Sequence, residues 1–560
     1  MMDDVRAYQP DFPAETWTDA ERALLAPFVM NPDGFVTVIH NLPAEIVGAL
    51  CSRASRASGS LIRILLDEYL RPIMDGDPAL ADELRLVVQF LTEHGFKNIL
   101  NNQRAQSFYA RWLSQFGDDS IAQMTGAHVV FRGISQVAMK HAEDQRIALE
   151  PIEKSTRFVN YGEKVGGKYL YYVPEPVLRE LGLVEEYCRV MDGLFDAYVA
   201  LVPQFLAWLK QNYAEKESVL EKKAFDTLRG LLPMATVSQV AFRGNAQAFE
   251  YLINRTAAHP LGEFRWMAQA LKEELDCEIP SLLLRLQEEK SERYQEYLGN
   301  RKSRTREFLE SFGLNRDIMD VFRTEHYEGA EVTLIDCDPD GEDCVVAAIL
   351  FESGHRSWYD CLAEVALMSD IGKRAVLGKY LEGRTARWQK VGRAFENAQL
   401  RYEILMDIGA YRDLHRHRML TQERQLFTVR HGYQIPRDVT GAGLELPYRA
   451  ALDAVVPFFD RLEPYSPELA QYVVPLANRV RFYQLTNLRE CFWEMELRTG
   501  SQGHPNYRFV EQEKFRQLKA VYPLIAEFML VDLDDYPFAR RGTDEAIAAR
   551  EEKVRRGLHK

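Results

Sequence analysis

An ordered set of landmarks runs along this chain twice, and that repetition limits what the chain can fold into more than any single segment does. Each half opens on a β-branched run, Phe35-Val-Thr-Val-Ile39 before Pro43 and Val332-Thr-Leu-Ile335 before Asp336. Each continues into an Ala-rich apolar element, Ile46 to Ala54 and Val345 to Leu350, and then a long helical stretch. An amphipathic segment follows, Ser120 to Arg157 in the first copy and Ala394 to Val429 in the second. The first copy closes on Arg229-Gly-Leu-Leu-Pro233, Asn245, Arg255 and His259-Pro260, and the second on Gln471-Tyr-Val-Val-Pro475, Asn487-Leu-Arg489, Arg498 and His504-Pro505. The pattern predicts an α/β chain of the α+β kind, built as two tandem domains that form an intramolecular pseudodimer. Each domain is expected to hold a mixed sheet with long helices. Their boundaries are read as residues 1–295 and 326–540, with a helical connector at 296–325 and a charged tail at 541–560.

The second copy carries the densest chemistry. Phe395, Ala398, Tyr402, Leu405, Ile408 and Tyr411 recur every three or four residues, which predicts one amphipathic helix over 395–414. Just beyond stand Arg412, His415, Arg416, His417, Arg418, Arg424, Arg430 and His431, in a chain whose formal net charge is −14. Solubility does not require such a cluster in an acidic protein, so it points to a pocket for an anionic small molecule. The same cations also suit a helix C-terminal dipole or a solvated face. Reading His415, His417 and His431 as metal ligands lacks supporting Cys or carboxylate spacing, and no metal site is expected.

Composition narrows the class. At 560 residues, 46% hydrophobic and 27% charged, the chain has apolar surface enough for a large core. Its first residues, Met-Met-Asp-Asp-Val-Arg, lack the apolar region of a secretory signal. No apolar run approaches the ~20 residues of a membrane span. The seven cysteines are scattered without a CxxC, which fits reduced thiols and a cytoplasmic location. A pI near 5.5 argues against coating a nucleic-acid polymer but leaves room for a pocket that takes one nucleotide.

These landmarks resemble the flavin-dependent thymidylate synthases, whose signature is RHRxxSxxxxSxR followed by an aromatic. The second copy keeps the first part as Arg416-His417-Arg418-Met419-Leu420-Thr421 and has Leu426 and Thr428 where the later Ser and Arg belong. The first copy keeps the later part as Glu153-Lys154-Ser155-Thr156-Arg157-Phe158 and has Asp144-Gln145-Arg146 in place of the RHR. The two copies have thus diverged in complementary places. The resemblance implies one complete site built from both halves, with Arg416 and Arg498 from the second and Glu153, Ser155, Arg157 and Arg229 from the first. The mirror site would draw Gln145 and Arg255 from one copy and Gln471, Leu426 and Thr428 from the other, and should be dead.

The same resemblance assigns roles. Arg157, Arg229 and the Ser155 hydroxyl would hold a nucleotide phosphate, which guanidinium forks bind bidentately. Arg498 would act at the pyrimidine ring, stabilising negative charge as C5 becomes nucleophilic. Arg416, His417, Arg418, Asn487 and Arg489 would bind FAD. The implied reaction is methylation of dUMP to dTMP with methylenetetrahydrofolate and NADPH as co-substrates. A homodimer of two-lobed chains would rebuild the family's tetramer. Departures from the family pattern are Asn397 and Met124 where a histidine is usual, and Asp413 where a glutamine is usual. Two other readings remain open at this level: a related flavin enzyme with a different one-carbon outcome, and an inactive nucleotide-binding scaffold. Residue by residue, Ser155 could be a turn hydroxyl, Arg157 and Arg229 structural partners of Glu153 or Glu150, and Asn487 with Arg489 a satisfied core pair.

Overall fold

The computed structural model describes residues 4–75, 86, 88–91, 93, 103–109, 111, 119–312, 330–538, 549, 550, 552, 553 and 556. Beyond residue 312 the expected connector lies outside the described residues, and so does most of the expected tail. Up to that point the connector continues the helix Glu289–Ser311. The chain divides into two compact units. The first holds Met1–Trp208, Ala224–Val321 and Gly441–Pro475, and the second Leu209–Lys223, Phe322–Thr440 and Leu476–Lys560.

The first unit is built on a sheet of β1 (Val36–Ile39), β2 (Gly126–Ser135), β3 (Leu149–Glu153) and β4 (Val237–Asn245), in the order β1-β2-β4-β3. Every pairing is antiparallel, so the sheet is not the mixed one expected. All of β1 is buried, and β2 is buried along nearly its whole length. The helix Gly262–Glu278 packs on this sheet, with Trp266 meeting Phe35 edge to face at 5.1 Å between centroids. The one-turn helices Arg229–Leu231 and Gln471–Val473 come from equivalent places in the two repeats, and both lie in this unit. Their following residues pair with each other: Pro233 bridges Pro475, Met234 N donates to Val474 O at 2.8 Å, and Ala235 N donates to Tyr472 O at 2.8 Å.

The helix Val184–Asn212 corrects one expectation, because its 29 residues are long and apolar enough by length and composition to cross a membrane. Its burial is nonetheless one-sided. Tyr187, Met191, Leu194, Tyr198, Leu201 and Phe205 are buried at spacings of three and four, while Glu185, Arg189 and Asp196 occupy other positions. That is the pattern of an amphipathic helix against a protein core.

The second unit repeats the plan with β5 (Glu331–Cys337), β6 (Gln399–Asp407), β7 (Thr421–Arg424) and β8 (Arg479–Asn487), ordered β5-β6-β8-β7 and again fully antiparallel. Here the single helix expected over 395–414 is overturned. The segment is a short turn of helix at Arg393–Asn397, then β6, then the helix Ile408–Leu414. Leu400, Tyr402, Ile404 and Met406 are all fully buried, a period of two that the three-and-four count passed over. Asp407 ends the strand and starts the helix, its Oδ1 accepting from Ala410 N at 2.8 Å. The first copy's Ser120 to Arg157 divides in the same way into the helix Asp119–Gln123, β2, the helix Gln136–Glu143 and β3.

The two sheets share one register. Gly126 faces Asn245 and Gln399 faces Asn487, while Glu153 faces Val240 and Arg424 faces Phe482. Glu153 therefore corresponds to Arg424, which carries Ser155 onto Leu426 and Arg157 onto Thr428.

Candidate active site

A cavity of about 370 Å³ opens in the second unit where the turn after the helix Ile408–Leu414 meets the start of the helix Leu488–Arg498. The register of β6 on β8 sets this meeting. Arg416, His417 and Arg418 come from the turn, and Asn487, Arg489 and Arg498 from the helix and its cap. The six second-copy residues to which the resemblance assigns a role thus line one space. A third wall, from Arg384 to Glu396, adds Arg384, Arg387 and Lys390.

The floor of this cavity is a chain of three side chains. His417 is buried, its Nδ1 lies 2.7 Å from Glu490 Oε1, and its Nε2 lies 2.9 Å from Arg498 Nε. An arginine Nε–H can only donate, so the bonding assigns the lone pair to Nε2 and the proton to Nδ1. The neutral ring donates to Glu490 and accepts from Arg498, which fixes the direction of the Arg498 guanidinium. Both ring nitrogens are then engaged, and the metal reading through His415, His417 and His431 loses its middle ligand. His431 lies elsewhere, its Nε2 3.2 Å from Gln425 Oε1; burial and then Arg481 and Arg479 push its pKa down to about 4.

Two predicted residues have structural work in this wall. Asn487 caps the helix, its Oδ1 accepting from Glu490 N at 3.0 Å. Arg489 pairs with Glu396 and donates from Nε to Val391 O at 3.3 Å. Asn397 does not line the cavity; its Nδ2 donates to Ala394 O at 3.1 Å. Behind Arg498 lies a cluster that the sequence reading missed. The Lys514 ammonium, fully buried, contacts Glu494 Oε2 at 2.8 Å, Gln484 Oε1 at 2.8 Å and Glu511 Oε1 at 3.0 Å. Burial and the Glu494 charge push Glu511 up to about 8. For Glu494 burial works in the same upward direction, but the Lys514 ammonium outweighs it and holds the carboxyl below its ordinary value.

The first-copy residues form a second group. Arg157 makes a bidentate pair with Asp226, Nε to Oδ1 and Nη2 to Oδ2, both at 2.9 Å. Arg229 Nε is 3.5 Å from the same Oδ1, and both arginines are buried. The two arginines share Asp226 as a partner. The only sequence signal for it is the Asp226-x-x-Arg229 spacing at a helix end. Ser155 Oγ accepts from Arg157 N at 3.2 Å, a turn bond that orients the arginine's backbone. Glu153 Oε1 lies 3.2 Å from the buried Lys140 Nζ, which also binds Glu143.

The mirror residues are placed as well. Arg255 donates from Nη2 to His141 O, and Gln471 donates from Nε2 to Glu468 O at 3.2 Å. Thr428 accepts from Arg430 N at 3.1 Å, so a Thr-x-Arg turn with the internal bond of Ser155-x-Arg157 recurs two residues downstream of the expected position.

The pocket, rich in arginine, lies beside an antiparallel sheet in a chain that makes this α+β plan twice. Residues 79–281 and 333–524 each match the thymidylate synthase complementing protein family. The chain is 35% identical over 536 residues to a UPF0159 protein of Chlamydia pneumoniae, covering 94% of this chain and 97% of that one. A UPF0159 protein of Thermoplasma acidophilum is 28% identical over 473 residues, 79% of this chain and 91% of that one. A flavin-dependent thymidylate synthase of Corynebacterium efficiens is 27% identical over 176 residues, 31% of this chain and 67% of that one. Among solved structures, the UMP/dUMP methylase PolB from Streptomyces cacaoi aligns with a TM-score of 0.29 and 17% identity, over 36% of this chain and 94% of that one. The protein belongs to the thymidylate synthase complementing protein family, and it carries the family's domain in two copies.

Proposed function

We propose that this chain is a cytoplasmic flavin-dependent enzyme that methylates a pyrimidine nucleotide at C5, most simply dUMP to dTMP, with FAD, methylenetetrahydrofolate and NADPH. The observation that carries the reading is the gathering of Arg416, His417, Arg418, Arg489 and Arg498 around one cavity in a chain of this family. The donor set fits FAD, because planar guanidinium groups suit a pyrophosphate and an arginine near a reduced ring balances its negative charge. Arg416 and Arg418 would hold the pyrophosphate, and Asn487 with Arg489 would shape the wall behind it. When bound, FAD would supply the reducing equivalent that completes the transferred one-carbon unit.

The protein's own groups do the rest. Arg157 and Arg229, both held by Asp226, would offer two guanidinium groups to a phosphate that brings close to two negative charges. Arg498 offers a fixed cation to the pyrimidine as charge develops on it, and Glu490 through His417 sets that cation's direction before the substrate arrives. Arg416 serves the nucleotide as well as the flavin.

The test is a visible absorption spectrum of the full chain before and after FAD, and again after dUMP. A flavin spectrum that shifts on adding dUMP supports the reading; no flavin uptake in excess FAD sinks it and favours a nucleotide-binding scaffold. Turnover then ranks the residues. Arg157→Ala and Arg416→Ala are each expected to abolish it while Arg255→Ala is mild, and equal loss in all three would overturn the single-site assignment.

A further inference from the structure

The third wall of the cavity belongs to a loop, residues 383–392, that the family reading does not use. It has no regular secondary structure and is organised by one side chain. Gln389 Oε1 accepts from Thr385 N at 2.7 Å and Ala386 N at 2.8 Å, while its Nε2 donates to Gly383 O at 3.1 Å. Arg384 pins the base of the loop, donating to Gln389 O at 2.7 Å and Phe528 O at 3.2 Å and pairing with the buried Glu496. A loop tied this thoroughly holds its remaining side chains in fixed places. Those side chains are Arg387, Trp388 and Lys390.

Their charges are held in an unusual way. Lys390 Nζ sits 4.1 Å from the centre of the Trp493 ring, and Arg387 Cζ sits 6.0 Å from it. Both cations and Trp493 line the cavity. Arg384 and Arg489 in the same cavity are each tied to a carboxylate, Glu496 and Glu396. Among the described residues, neither Arg387 nor Lys390 has a carboxylate partner. An aromatic face orients a cation without neutralising it, so both keep their full charge for a ligand. Between them in sequence, Trp388 is 74% exposed, a large flat apolar surface with nothing of the protein covering most of it.

We propose that Arg387, Lys390 and Trp388 form a rim subsite for a second ligand that joins a flat aromatic ring to two negative charges. The ring stacks on Trp388 and the anionic groups meet Arg387 and Lys390. This deepens the proposed function and rests on it, by giving one of that reading's two co-substrates a place to dock. The chemistry admits two sources, an adenine nucleotide with phosphomonoesters or an aminobenzoyl group with glutamate carboxylates.

Two probes separate them: adenosine 2′,5′-bisphosphate and 4-aminobenzoylglutamate, each titrated into the full chain by calorimetry at low salt. The expected result is saturable binding of one of them. The paired change Arg387→Gln with Lys390→Gln, and separately Trp388→Ala, should each weaken it roughly tenfold or more. Trp388→Ala removes an exposed side chain, so it serves as the variant least at risk of misfolding. Which probe binds names the anion as phosphate or carboxylate. Absence of binding by both probes at millimolar concentration overturns the subsite, and so does binding that neither variant changes. FAD uptake by the unaltered chain is measured in parallel, and its failure counts against the flavin reading alone.

Discussion

At the scale of single residues, the distinctive arrangement is a carboxylate, an imidazole and a guanidinium joined end to end. Glu490 decides which nitrogen of His417 carries the proton, and that decides whether Arg498 Nε finds an acceptor. Glu490→Ala frees the ring to present an N–H to Arg498, which must then turn away. Carboxylates that orient histidines behind metal sites are worth about 10–100-fold, and a loss of kcat in that range with little change in KM is expected here. Glu490→Gln keeps an acceptor for Nδ1–H and should restore most of it; equal loss in both variants would leave charge, not orientation, as the cause. Asp226 poses the opposite problem, one carboxylate serving two buried arginines. Asp226→Ala is expected to cost roughly 3 kcal/mol in a denaturant titration. Added dUMP should recover more stability in the variant than in the unaltered chain, because its phosphate replaces the lost charge; no such difference would mean the arginines do not hold the nucleotide. The basic residues were legible in the sequence because cations stand out in an acidic chain. Asp226 was not, since the partner it holds lies 69 positions away along the chain.

At the scale of elements, the repeats agree where a strand hands over to a helix. Asn245 ends β4 and accepts from Ala248 N at 2.8 Å, and Asn487 ends β8 and accepts from Glu490 N at 3.0 Å. Replacing either by alanine should cost about 1 kcal/mol, read as a similar fall in Tm for both. Asn487→Ser retains the cap, so it separates the two roles offered for this residue: FAD uptake that survives in the serine variant makes Asn487 a cap only. The handover itself was poorly legible. Tyr402, Leu405 and Ile408 satisfy a helical spacing, but Leu400, Ile404 and Met406 alternate with Gln399, Arg401 and Glu403, and pairing with β5 on one side and β8 on the other fixed the strand. A central strand of a sheet is apolar enough to imitate either period, and only its neighbours decide between them. Strand β1 was legible because a β-branched run stands before a proline, while the segment after it was read only as an apolar element and is the helix Ala44–Ala54.

At the scale of the whole molecule, the duplication was readable from the order of landmarks, while the exchange between repeats was not. Tyr472 belongs to the second repeat by sequence, yet its hydroxyl donates at 2.8 Å to Glu263 in the first unit, within the segment where Pro233 bridges Pro475. Glu263 also accepts from Ser135 N at 2.8 Å and Ser135 Oγ at 2.7 Å. Burial pushes its carboxyl up from 4.5 to about 7, against the pull of those three donors. The sign follows from linkage: between about 4.5 and about 7 the folded chain holds a proton here that the unfolded chain has released. Stability from this group is fully present at the acid end and is lost as pH rises toward 7, at a slope approaching about 1.4 kcal/mol per pH unit. Glu263→Gln cannot ionise and keeps the shape of the buried group. The difference in Tm between Glu263→Gln and the unaltered chain should therefore grow in favour of the variant from pH 5 to pH 8.5. A difference that stays constant over that range would mean the carboxylate is already ionised at pH 5, held so by Ser135 and Tyr472, and that the contact joining the two repeats is a charged one.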